Sequence, residues 1–81
     1  MNERLKFQGR LAEKELEAKT LKLRIEGMIE SIRSHLDPFE NIENLKSRLI
    51  AGQAVDLSEY HTMYMEVLDE IRLLKKELGM K

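Results

Sequence analysis

The sequence predicts an all-α protein, a long antiparallel helical hairpin with coiled-coil-like packing, in a single domain over residues 1–81. Apolar residues recur at spacings of three and four along most of the chain, which is the periodicity of helices rather than of strands. The chain has one proline, and its long stretches of Glu, Lys, Leu, Arg and Ala favour helix. With 81 residues and no cysteine, a single copy would have only a marginal core.

The first helix is expected over about residues 2–35, where it would be roughly 50 Å long. It should end before Pro38, because the residue that precedes a proline avoids the α-helical conformation. One side of this helix carries apolar residues at heptad spacing, with Lys14 as the one polar residue among them. This first apolar seam comprises Phe7, Leu11, Lys14, Ala18, Leu21, Ile25, Met28 and Ile32.

A second, short helix is expected over about residues 38–51. Asp37 can cap its first turn, and Glu40 stands where a capping box has its acidic residue. Gly52 is expected to end this helix, since glycine readily takes the left-handed conformation of a C-terminal cap. The apolar face of the helix would consist of Ile42, Leu45 and Leu49.

The third helix is expected over about residues 57–78 and has the clearest start signal in the chain. Asp56 and Glu59 repeat the capping-box spacing. Val55 and Tyr60 have the spacing of a hydrophobic staple across the same helix start. Heptad spacing then continues over three repeats. This second apolar seam comprises Leu57, Tyr60, Tyr64, Val67, Ile71, Leu74 and Leu78.

The path of the chain between these helices has two solutions. Helices two and three together match helix one in length, which gives a hairpin whose second arm is broken into two helices at residues 52–55. Alternatively, the chain reverses at that loop and the protein is a three-helix bundle; a loop of this length allows either. We favour the broken hairpin.

Helix one has a second apolar stripe, well away from its seam on a helical wheel. This outer stripe comprises Leu5, Ala12, Leu16 and Leu23. A helix that is apolar on two sides usually meets two neighbours, and the short second helix cannot cover all of helix one. The sequence therefore predicts a homodimer, a bundle of four or six helices, with the outer stripe as the oligomer interface. In the alternative, these residues lie half exposed on a monomer, as single leucines often do.

No catalytic, cofactor or metal site is indicated. The two histidines are far apart in the sequence, and no glycine-rich phosphate-binding motif occurs. We therefore expect no enzymatic activity and no cofactor. Met63 and Met65 are the candidate contacts for a protein partner, because methionine adapts to irregular binding surfaces.

The charge pattern favours neither nucleic acid nor membrane. The formal net charge is −1, and no run approaches the roughly 18 apolar residues that span a bilayer. The charged N-terminus lacks the apolar core of a signal peptide, which predicts a cytoplasmic protein. Residues 1–24 nevertheless have seven Lys and Arg against four Glu, so a nucleic-acid-associated factor is the alternative function. Its phosphate contacts would be Arg4, Lys6 and Arg10.

The Lys/Glu/Leu-rich first helix, the junction LDPFENIENL and the final segment EYHTMYMEVLDEIRLLKKELG resemble small helical accessory proteins of Mu-like prophages. The resemblance covers most of the chain, rests on patterning, and implies a bacterial or phage setting without assigning site residues. The leading hypothesis is a non-enzymatic helical protein–protein interaction module, a self-associating accessory or regulatory protein.

Overall fold

The computed structural model describes residues 3–79 and contains two long α-helices. Helix α1 spans Glu3–Ser34 and helix α2 spans Ser47–Glu77, with a short 3-10 helix at Ile42–Asn44 in the connection. The described part of the chain has no strand, which confirms the all-α class. The molecule is more than three times as long as it is wide.

The two helices lie side by side and run in opposite directions. Three contacts between them show this, because the two residue numbers in each contact add up to the same value, 84. The contacts join Lys14 Nζ to Glu70 Oε2 at 2.7 Å, Arg24 to the Tyr60 ring at 4.6 Å, and Gln53 Nε2 to Ser31 Oγ at 2.9 Å. A constant sum over this distance requires one continuous antiparallel pairing, so the chain is a helical hairpin.

The core is the interface between the two predicted seams. Every residue of both seams is buried or half-buried. The most buried side chains among them lie in the half of the hairpin nearest the chain ends: Leu11, Ala18, Leu21, Val67, Ile71 and Leu78. Heptad periodicity therefore located the packed face of each arm correctly.

The second arm is not broken, and this corrects the predicted helices at 38–51 and 57–78. Helix α2 begins at Ser47 and continues through Gly52 without interruption. Ile50 and Gln53 are half-buried and extend the second seam at the same spacing, so the helix packs against α1 on both sides of the glycine. A glycine inside a helix costs only about 1 kcal/mol, which continuous packing offsets. The chain makes no reversal at 52–55, as a three-helix bundle would require.

The predicted helix starts also need correction. Asp56 and Glu59 lie in the middle of α2, so neither the second capping box nor the Val55–Tyr60 staple exists. Asp37 does accept a hydrogen bond, from the Phe39 backbone N–H at 2.9 Å, but this bond closes a turn and no α-helix follows it. Aspartate side chains bond the backbone two residues on in turns as well as in helix caps.

Candidate interaction surfaces

The outer stripe lies on the side of α1 that faces away from α2. At 100° per residue, its centre is roughly 170° from the centre of the seam. Its three leucines are largely exposed, with 65% of Leu5, 65% of Leu16 and 64% of Leu23 accessible, and Ala12 is exposed too. The hairpin therefore covers one side of α1 and leaves the second apolar side open.

Gly9 lies between members of the outer stripe, at the same three-and-four spacing. A Cβ atom added to Gly9 would meet no other atom within 4 Å. The contacts within the hairpin therefore do not require a glycine at this position. Its effect is a shallow gap in the outer surface of α1, next to Leu5 and Ala12.

The tip of the hairpin is a second apolar surface, which the sequence interpretation missed. Phe39 is 94% exposed and Ile42 is 85% exposed, both in the connection between the helices. Leu36 and Leu45 beside them are about half exposed. From the sequence, Ile42 and Leu45 were predicted on the packed face of a helix that does not form. The one available signal was Phe39, a large apolar residue that belongs to neither seam.

Lys14 is the polar residue within the first seam, and it pairs with two carboxylates. Its ammonium group lies 2.7 Å from Glu70 on α2 and 3.3 Å from Glu17 one turn along α1. The hydrogen bond with Glu70, and next that with Glu17, raises the pKa of Lys14 above its ordinary value of 10.5. The side chain thus covers the core with its methylenes and keeps its charge at the edge of the interface.

Gln53 is the polar residue of the second seam, near the tip. Its amide N–H donates to the Ser31 hydroxyl, while its Oε1 is buried and accepts no hydrogen bond. A groove runs beside this pair, with the Arg24 guanidinium stacked on Tyr60 along it. Gly27, Met28 and Asp56 complete the lining of the groove.

Met63 and Met65 are each a little under half exposed, at 44% and 43%. Residues two apart on a helix point in directions about 200° apart. The two methionines therefore lie on different sides of α2, and partners would contact them on separate surfaces. Their role in partner binding stays a prediction.

Several basic residues of α1 are engaged within the hairpin. Arg24 stacks on Tyr60, the Arg10 guanidinium lies 6.0 Å from the centre of the Phe7 ring, and Lys14 pairs with glutamates. Lys6 and Arg4 are exposed near the start of the helix. The structure thus does not gather the basic residues into one continuous patch.

Comparison of the chain with family models, with curated proteins and with solved structures gave no match. The resemblance to accessory proteins of Mu-like prophages therefore stays a prediction. Within residues 3–79, neither helix has a stretch long and apolar enough to cross a membrane.

Proposed function

We propose that this chain is a non-enzymatic helical interaction module that acts as an accessory or regulatory protein and self-associates through the outer stripe. The observation that supports it is the exposure of Leu5, Leu16 and Leu23, each about two-thirds accessible on the side of α1 opposite the core. These leucines lie on one side of the helix, as the residues of a helix–helix interface do.

The energetics of a two-helix hairpin favour such an association. Fully burying one leucine side chain stabilises a complex by about 1.5–3 kcal/mol relative to leaving it exposed. The hairpin itself has a narrow core and no cysteine to form a disulfide. A second copy supplies apolar cover that a chain of this size cannot supply to itself.

Sedimentation equilibrium at micromolar concentration tests the proposal. We expect a species of twice the 9.5 kDa chain mass for the natural sequence, and monomer for a Leu16→Glu, Leu23→Glu double variant. Val55→Glu is the matched control, because Val55 is 58% exposed but lies on α2; it should leave the dimer intact. A monomeric natural chain, helical by circular dichroism, would refute the proposal.

The alternative function, a nucleic-acid-associated factor, is supported by the excess of basic residues at positions 1–24. It makes a separate prediction: a salt-dependent affinity for duplex DNA that is lost when Arg4, Lys6 and Arg10 are replaced by alanine. The interleaved glutamates and the internal contacts of Arg10, Lys14 and Arg24 weigh against it. A gel-shift assay at low salt distinguishes the two functions, since the interaction module gives no shift.

A further inference from the structure

We infer that the partner of the outer stripe is a second copy of this chain in antiparallel orientation, with Leu5 of one copy opposite Leu23 of the other. This inference rests on the proposed self-association and adds its geometry. The arrangement follows from the residue sizes and charges along the exposed side of α1.

The exposed side of α1 has the same periodicity as the seams that form the core. The outer stripe, together with Gly9 and Lys19 between its members, continues at spacings of four and three over six positions. Such a series packs as knobs into holes against a matching series. The six positions in order are Leu5, Gly9, Ala12, Leu16, Lys19 and Leu23.

The hairpin itself shows how two such series pair in antiparallel orientation. Residues that face each other have numbers with a constant sum, as the contacts Lys14–Glu70 and Ser31–Gln53 do. The same rule applied to two copies of the exposed series allows one register in which all six positions pair. Their numbers then add up to 28.

In this register the two side chains that face each other in every layer have complementary or matching sizes. Leu5 faces Leu23 of the second copy, and Ala12 faces Leu16, so a small residue receives a large one at the centre. Gly9 faces Lys19, whose aliphatic stem can lie in the gap above the glycine while its ammonium group reaches solvent. The open space at Gly9, where an added Cβ would touch nothing within 4 Å in the single chain, is thereby occupied.

A parallel pairing fits much less well. It would place Gly9 against Gly9 and Ala12 against Ala12, which leaves unfilled space in two layers. It would also place Lys19 against Lys19, so that like charges repel within an apolar contact. The antiparallel register avoids both defects. It is also isologous, so it closes as a dimer and does not propagate as a filament.

The dimer has repulsion between like charges near its two-fold axis. Glu15 flanks the outer stripe on one side and Glu13 flanks it on the other, and in the antiparallel register each of them meets its own copy across the two-fold axis. Like charges that face each other across two packed helices weaken the contact. Glu15→Gln should therefore tighten the dimer, whereas in a parallel pairing Glu15 would face Thr20 and the same change would have little effect.

The contact is short and involves only α1 from each copy. From Leu5 to Leu23 it spans about 27 Å of helix. Because the outer stripe points away from α2, the two α1 helices lie side by side and each α2 lies outside them, in a four-helix layer. A contact of this length falls at the small end of specific interfaces, so we expect micromolar affinity.

Disulfide trapping tests the register, and the chain has no cysteine of its own. Two variants are made, Leu5→Cys in unlabelled chain and Leu23→Cys in isotopically heavy chain, and each is oxidised alone and mixed. We expect the mixture to give the mixed disulfide and each variant alone to give little product, since about 27 Å of helix separates identical positions. Val55→Cys mixed with Leu5→Cys is the control and should not link.

The possible outcomes separate this inference from the proposed function. Both leucines are mostly exposed, so the hairpin should remain folded, and circular dichroism checks this. A dimer by sedimentation in which each variant links efficiently to itself overturns the antiparallel register and leaves self-association standing. A dimer with no linking above the control also overturns the register. A monomer overturns both.

Discussion

Lys14 and Gln53 are the two polar residues within otherwise apolar seams, and each has a partner across the hairpin. Lys14 reaches Glu70, and Gln53 donates to Ser31. Polar residues at core positions of a coiled coil lower stability but fix which residues face each other. Because these two lie near opposite ends of the paired region, together they disfavour sliding of one helix along the other.

The raised pKa of Lys14 predicts a pH-dependent contribution to stability. A lysine whose folded-state pKa lies above 10.5 contributes stability that is fully present below pH 10.5 and is lost as the pH rises through the folded-state value. We therefore expect the urea midpoint to fall less at alkaline pH in Lys14→Met than in the natural chain. Other groups titrate in this range, so the measurement is the difference between the two proteins. Parallel curves would contradict the role of the Glu70 pair.

A second prediction contrasts two large apolar side chains with opposite burial. Leu21 is 7% exposed and Phe39 is 94% exposed. Leu21→Ala should lower the free energy of unfolding by about 2–5 kcal/mol, the usual cost of truncating a buried leucine. Phe39→Ala should change it by less than about 0.5 kcal/mol, as exposed substitutions do. Chemical denaturation of both variants checks this, and a large loss in Phe39→Ala would place the tip in contact with the core.

At the scale of the helix, the sequence located the packed faces, the bounds of α1 and the end of α2, but not the start of α2. Both seams were predicted residue by residue, because burial against a partner helix enforces heptad spacing. The prediction of a break at 52–55 was wrong. Gly52 and Asp56 would end one helix and start another only if the residues on either side of them were not packed against α1. Ile50 and Gln53, which continue the second seam upstream of Leu57, were the signal in favour of one helix.

The continuity of α2 through Gly52 predicts the effect of replacing this glycine. It lies inside α2, and an added Cβ would meet nothing within 4 Å. Gly52→Ala should therefore raise the free energy of unfolding by about 0.5–1 kcal/mol. Gly79 is the matched control, because its φ of 72° suits glycine and Gly79→Ala should destabilise. Thermal melts of both variants provide the test; a destabilising Gly52→Ala would indicate a helix end at that residue.

At the scale of the whole molecule, the two exposed apolar surfaces differ in how far the sequence could predict them. The outer stripe follows from periodicity alone, since it lies on a helix whose other face is already occupied. The tip could not be derived in this way. The exposure of Phe39 and Ile42 depends on where the connecting chain runs after Asp37, and periodicity carries no information about an irregular segment.

The proposed dimer makes the stability of the whole molecule depend on protein concentration. Association that involves the folded chain and not the unfolded one stabilises the fold by mass action, so the melting temperature should rise as concentration increases through the dissociation constant. Leu16→Glu should remove this dependence, because it places a charge opposite Ala12 of the second copy, while Val55→Glu should preserve it. At concentrations well below the dissociation constant of the dimer, the Leu16→Glu variant and the natural chain should melt at nearly the same temperature. The reason is that Leu16 is mostly exposed in the single hairpin. If the natural chain instead melts at one temperature across the whole micromolar range, the outer stripe does not join two copies under these conditions.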